Sequence, residues 1–483
     1  MPVTAIRGAR PRGSQECGSA HAVVLGASVA GLAMAKALRT RFAHVTVVDR
    51  DSLPSDGAHR RGVPQARHLH VLLTPGKAAL EELFPGLVER LAAGGAVLAD
   101  LGERGRMWVN GKRLALGPTG PADVSATRPF LERHIRALAR ADAAITFLDR
   151  HEGRGLVVDD GGQQVVGLRV AARPDGAERM LPADLVVDCS GRSSRVPSWL
   201  AELGYPSPQV EQLRVDLRYV TRHYRLPDDV LDGDLLAMVG PLPHDPRAGW
   251  LARVEHDRWT LTLAGLGGVR PPTDPDRFEA FAATLATPVL HAAIRRGQAL
   301  DDPVAFRYPA STRHRYDRLR RFPAGLLVAG DAVCSFNPIY GQGMTVAALE
   351  AVAVRGFLAA GQVPSARAWF RAINPIIDAP WDLAVGGDLA IACIEGHRTL
   401  ATRLLNRYLD RYVTAAQHDP VLGVRFARVT SLLDPPSSLL RPASVGRVIA
   451  GNARARSVVE RSAGPPPERP ARPAREPTAT QGG

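Results

Sequence analysis

The sequence predicts an α/β protein, and three observations carry that prediction. HAVVLG, ASVAGLAMAKALR and HVTVVDRD read as strand, tight turn with helix, and strand, the opening of a Rossmann-like βαβ unit. RVDLRYVTRHYRL, WLARVEHD and RWTLTLAGLGG alternate apolar and polar residues at period two, as antiparallel strands with one solvated or cavity-lining face do. From Gly343 to about residue 460 the apolar spacing turns helical.

Bulk properties narrow the classes. A chain of 483 residues has room for two or three domains, and 45% hydrophobic with 23% charged residues is ordinary for a globular protein. The net charge of +13 does not read as a nucleic-acid footprint. The basic residues are arginine except Lys36, Lys77 and Lys112, and they are scattered, as an arginine-rich coding bias leaves them. Cys17, Cys189, Cys334 and Cys393 show neither CxxC nor metal-ligand spacing, so a reduced cytoplasmic setting and no metal are expected. Residues 1–20 read as a flexible leader without the apolar core of a signal peptide, and 463–483 as a disordered Pro/Arg tail. No apolar window is long enough to span a bilayer.

The first turn carries Gly26-Ala27-Ser28-Val29-Ala30-Gly31, a GxGxxG variant with serine at the second glycine. Gly26 allows the turn, Gly31 lets helix and strand pack closely, and Ser28 and Ala30 flank the approach of a pyrophosphate to the helix N-terminus. Asp49, with Arg50 beside it, ends the next apolar strand at the spacing, about 20 residues on, of an acid that accepts ribose hydroxyls. This unit serves NAD and FAD alike.

RFPAGLLVAGDAVCSFNPIYGQGM separates the two cofactors. Leu326 to Ala329 form a strand ended by Gly330 and Asp331, and a bent loop then opens a helix at about Met344. Asp331 reads as an acceptor for cofactor hydroxyls. Pro338, Gly341, Gln342 and Gly343 read as a backbone platform for a flat ring, backed by a helix N-terminus that stabilises negative charge. Taken alone, this stretch equally suits an Asx-turn before a helix. ADLVVDCSGRSSRVPSWL adds a third strand ended by Asp188, with Gly191, Ser193 and Arg195 after it.

With these three segments in order, the chain resembles the FAD-dependent aromatic hydroxylase and squalene-epoxidase-like monooxygenase superfamily. Its DG segment has Cys189 and Ser190 between acid and glycine. HRRGVPQARHLHVLL, LEELFPGL and ELGYPSPQVEQLRVDLRYVTRHY resemble the actinobacterial epoxidases of polyether-antibiotic precursors. The resemblance runs from about residue 21 to 350. It implies a glutathione-reductase-type FAD-binding domain (21–200 and 305–360, with part of the substrate region between 70 and 125). It also implies a β-sheet substrate domain (201–304) and a C-terminal helical region (361–462). FAD, molecular oxygen, and NADPH, NADH or a partner reductase follow from it, with oxygen carried as a flavin C4a-hydroperoxide to a small hydrophobic substrate. Arg128 of ATRPFLERHIRAL matches an arginine that contacts FAD, and Arg61, Gln65 and His68 are candidates for the flavin edge or the substrate gate.

Oxygen transfer from a flavin to an alkene needs a dry pocket and a positioned double bond rather than a protein nucleophile. The absence of GxSxG, HExxH or a favoured carboxylate pair agrees with that chemistry. Tyr219, Tyr224 and Trp259 stand as substrate-cavity lining or equally as sheet core, and Leu400, Leu404, Tyr408, Tyr412 and Ala416 as a core stripe, with weak membrane-surface contact the lesser reading. The expected activity is epoxidation of a polyketide or terpenoid-like metabolite in antibiotic biosynthesis. Phenol hydroxylation and a non-redox cyclisation that retains FAD are the alternatives. A halogenase is disfavoured because WxWxIP is absent, a Baeyer–Villiger enzyme because no second GxGxxG occurs, and a disulfide reductase because Cys17 stands alone.

Overall fold

A computed structural model describes residues 20–55, 58–100, 102–174 and 176–462. Nearly all of the leader, and all of the expected tail, lie outside these residues.

Five parallel strands form the first sheet, in the order Leu326–Val328, Leu185–Asp188, His21–Leu25, His44–Val48 and Ile145–Leu148. Each is a largely apolar run because helices such as Val29–Leu38 pack on one face and the strands Val165–Ala172 and His151–Val158 on the other, and only side chains such as His44 and Thr146 are exposed. Val29–Leu38 and Gly343–Ala359 pack against each other and contribute to the largest apolar core with these strands. The sheet has one consequence for function. Three of its strands end in the acids foreseen from the sequence, and in open α/β sheets ligands bind beyond the carboxyl ends.

The second sheet has nine strands. Its main path runs Cys334–Ser335, Val304–Arg315, Gln209–Arg225, Arg258–Gly265, Arg247–Val254, Leu236–Val239, Gly105–Val109 and Lys112–Arg113, and Gln298–Ala299 joins Gln209–Arg225. The period-two pattern sorts its residues. Leu213, Val215, Leu217 and Tyr219 join a core with Tyr308, Leu389 and Ile391, whereas Val220, Tyr224 and Trp259 join another with Phe278 and Leu290 from two short helices. Two three-stranded sheets complete the strands, one of Glu178–Pro182, Val165–Ala172 and His151–Val158, the other of Val71–Leu72, Asp123–Ser125 and Val97–Ala99.

Helices Ala366–Asp388, Leu400–Ala416, Pro420–Thr430 and Pro442–Ser462 close the molecule. The expected core stripe holds over only half its length. Tyr412 and Ala416 are fully buried, but Leu400 is 73% and Leu404 59% exposed. Among the described residues no neighbour covers the N-terminal end of this helix. Among the described residues no helix is long and apolar enough to cross a membrane.

Candidate active site

A cavity of about 850 Å³ opens beyond the carboxyl ends of the parallel strands and continues to the second sheet. This lies toward the upper end of the range for small-molecule and cofactor sites, about 300–1,000 Å³. The first turn shapes one wall. Gly26 adopts φ +105°, and a Cβ there would stand 2.5 Å from the Cys189 carbonyl oxygen. At Gly31 a Cβ would fall 1.8 Å from the Gly26 carbonyl oxygen. Both glycines are therefore imposed by backbone contact. Ser28, Val29 and Ala30 line the cavity, and no side chain caps the N-terminus of Val29–Leu38, so its N–H groups and dipole are available to an anion.

Asp49 is held at this turn. It accepts hydrogen bonds from the Ala27 N–H at 2.7 Å and from Arg60 at 3.2 Å. Arg60 also pairs with Glu132 at 2.7 Å, and Glu132 takes Arg128 at 2.8 Å and Arg136 at 3.4 Å. Burial raises the Glu132 carboxyl, but Arg128 and Arg60 outweigh it and hold it below the ordinary range. This buried network sets the orientation of Arg128, which lines the cavity at the first turn of Arg128–Arg140. Arg60 and Glu132 were not singled out from the sequence, although Glu132 sits at i+4 from Arg128 on a helix, the spacing of an ion pair.

Asp331 faces the same cavity, half-buried, and makes no hydrogen bond or ion pair with protein among the described residues. Burial raises its pKa against the pull of Arg192 and Arg128. The loop after it follows the predicted course: residues 335–344 all line the cavity, Gly341 takes φ +68°, and helix Gly343–Ala359 starts where expected. The loop is anchored from below. Asn337 at 2.8 Å and the Tyr340 hydroxyl at 3.0 Å both donate to Asp388 Oδ1, at the end of Ala366–Asp388. Asp388 is fully buried with Oδ2 unpartnered, and burial lifts it to about 7 despite those two donors.

Toward the second sheet the walls become aromatic. Tyr219, Trp250, Phe306 and Tyr308 line the cavity with His68, and the Arg192 guanidinium lies over Phe306 and Tyr308 at 5.5 and 5.0 Å. His68 is buried against Tyr219 and Phe306, with Nδ1 2.7 Å from Thr221 Oγ1. Burial, reinforced by His70, His223, Arg67 and His59, lowers it to about 3.

The structure thus brings together on one cavity Ser28, Ala30, Gly26, Asp49, Arg50, Arg61, Gln65, His68, Arg128, Tyr219, Asp331, Pro338, Gly341, Gln342, Gly343 and Met344. Five expected residues fall elsewhere. Gly31 is sealed on the Gly26 carbonyl. Asp188 accepts from the Ser190 N–H at 2.9 Å and from the Ser194 hydroxyl, which turns its carboxylate into the local turn and leaves Cys189 to Ser193 to face the cavity. Gly330 takes φ +64°, packs against Ala30 and donates its N–H to Glu350 at 2.6 Å. Tyr224 and Trp259 are cross-strand partners on the far face of the second sheet, since Tyr224 stands at an odd offset, i+5, from Tyr219.

The residues fit FAD. An uncapped helix N-terminus suits its pyrophosphate, the unpartnered Asp331 its hydroxyls, and the open space at Gly341, where an added Cβ would meet nothing within 4 Å, leaves room for a ring beside the loop.

No family model matches the chain. Protein Rv3254 of Mycobacterium tuberculosis is 33% identical over 461 residues, covering 90% of this chain and 94% of that protein. Among solved structures, the flavin-dependent brominase Bmp2 aligns with TM-score 0.61 and 16% identity, over 91% of this chain and 100% of its own. The p-nitrophenol 4-monooxygenase PnpA of Pseudomonas putida DLL-E4 gives 0.59 and 15%, over 85% and 98%. The Diels-Alderase PyrE3 of pyrroindomycin biosynthesis gives 0.56 and 18%, over 86% and 81%. At such identities these likenesses show a shared fold. The chain belongs to the family of Protein Rv3254, and it is built on the fold of the FAD-dependent monooxygenases and their relatives.

Proposed function

We propose that the protein is an FAD-dependent monooxygenase that epoxidises an alkene of a small, mainly apolar polyketide or terpenoid-like metabolite. The observation that carries this reading is Asp331, a carboxylate without a partner among the described residues, on a cavity shared by the uncapped first helix and an aromatic chamber. Reduced FAD, when bound, supplies the activation of oxygen and its transfer. The chain supplies the rest. The N-terminus of Val29–Leu38 and Arg128 hold the pyrophosphate, Asp331 accepts hydroxyls, and Arg50 and Arg61 add positive charge at the mouth. The loop from Pro338 to Gly343 would support the ring, and the N-terminus of the helix it opens would stabilise negative charge there. Tyr219, Trp250 and Phe306 exclude water and seat an apolar chain beside it.

The same fold serves several chemistries, so the reaction rests on the chamber and not on the likeness. A phenol hydroxylase needs a base at the substrate oxygen. Burial lowers the proton affinity of His68, which makes it a poor base for that task. A cyclase that retains FAD is the second reading, supported by the likeness to the Diels-Alderase PyrE3. Incubation with NADPH or NADH, a flavin reductase, and a panel of alkenes and phenols decides among these. The epoxidase reading expects oxygen uptake and a product heavier by one oxygen atom. Turnover that persists without oxygen would support the cyclase.

A further inference from the structure

We propose that His68 is a neutral hydrogen-bond donor that orients the substrate through Nε2–H, and that the substrate carries an uncharged oxygen acceptor on an otherwise apolar body. The inference rests on reading this cavity as the substrate site, and it starts from the tautomer. Thr262 Oγ1 receives the Leu69 N–H at 3.3 Å and lies 2.6 Å from Thr221 Oγ1, which lies 2.7 Å from His68 Nδ1. No other acceptor is within reach of either hydroxyl among the described residues. One direction gives both hydroxyls an acceptor, whereas the reverse leaves the Thr262 O–H, on the same cavity wall, as the unpaired donor. In the first, Thr262 donates to Thr221, Thr221 donates to His68 Nδ1, and the ring proton is left on Nε2.

That Nε2–H has no partner among the described residues, although the residue is 5% exposed and lines the cavity. A buried donor of this kind is costly unless something accepts from it. Its neighbours are the Tyr219 and Phe306 rings, at 5.7 and 5.4 Å between centroids, so the complementary molecule is apolar around one oxygen. A carboxylate is the poorer match. At His68 it would lose its hydration against a donor that carries no charge, and the Arg192 guanidinium of the chamber lies over the Phe306 and Tyr308 rings. The neighbouring His70 is fixed the other way, because its Nδ1 lies 2.9 Å from the His68 carbonyl, which can only accept.

Two measurements on the full-length flavoprotein test this without turnover, so failure here is separate from failure of the oxygenase reading, which flavin content and oxygen uptake report. In protein labelled with ¹⁵N-histidine, the signals lost in His68→Phe are expected to show a protonated Nε2 and a bare Nδ1 at pH 7. A protonated Nδ1, or an imidazolium, overturns the proposal. Quenching of Trp108 and Trp250, which line the cavity, then compares farnesol, farnesene and farnesoic acid. The alcohol is expected to bind about tenfold more tightly than the hydrocarbon and the acid, and this preference is expected to vanish in His68→Phe while farnesene binding stays unchanged. No binding of any probe, a preference for the acid, an unchanged preference in the variant, or equal weakening of all three contradicts it.

Discussion

Removing the carboxylate of Asp331 takes away a group without a protein partner, so stability and ligand binding respond in opposite senses. Its pKa is raised by burial, so the folded state disfavours the ionised form, and the cost grows as pH rises above the ordinary carboxyl value. Flavin-free Asp331→Asn is therefore expected to melt at or above the wild-type temperature at pH 7, while flavin retained through gel filtration falls at least tenfold. A lower melting temperature with full flavin would contradict the assignment. Asp388 gives a second, pH-resolved case. Its folded pKa is lifted from 3.8 to about 7, so ionisation destabilises the protein progressively between those values, and the full cost is present above them. Asp388→Asn keeps an acceptor for Asn337 and Tyr340 but cannot ionise. Its melting temperature is expected to gain on the wild type between pH 5 and pH 8, and parallel curves would refute the shift.

At the scale of elements, the first turn is the least tolerant. A methyl group at Gly31 must displace the Gly26 carbonyl, so Gly31→Ala is expected to cost about 1–3 kcal/mol in chemical denaturation and to abolish flavin retention. Helix Leu400–Ala416 behaves in two halves. Leu404→Ser is expected to change stability by less than about 0.5 kcal/mol, and Tyr412→Ala to cost about 3–5 kcal/mol, because only the second side chain is buried. Four of the five parallel strands were legible in the sequence because they are apolar runs closed by an acid or a glycine; the edge strand Ile145–Leu148, with Thr146 exposed, was not singled out. The carboxylate of Asp188 was not legible either, since two serines of its own turn capture it. Strand alternation alone separates Tyr219 from Tyr224, but choosing the cavity face needs a second element, the helix end that carries Leu389 and Ile391. Half of the apolar stripe on Leu400–Ala416 was misjudged for the same reason: periodicity marks a face and not what covers it.

For the molecule as a whole, the contacts that build the site join segments far apart in the chain. Thr221 meets His68, Asp388 meets Asn337, and Asp331 stands near Gly191 across the strand ends. Motif order made their convergence legible, but only the tertiary structure exposed the anchors below the loop. The central claim is that the ends of the parallel strands and the loop from Pro338 to Gly343 form one FAD site. The most direct measurement is the flavin stoichiometry of purified, folded protein equilibrated with excess FAD and freed of unbound ligand. One FAD per chain for the wild type, with at least a tenfold loss in Asp331→Ala of unchanged fold, is the expected result. A folded wild-type protein that takes up no FAD, or a variant that retains all of it, would contradict the account.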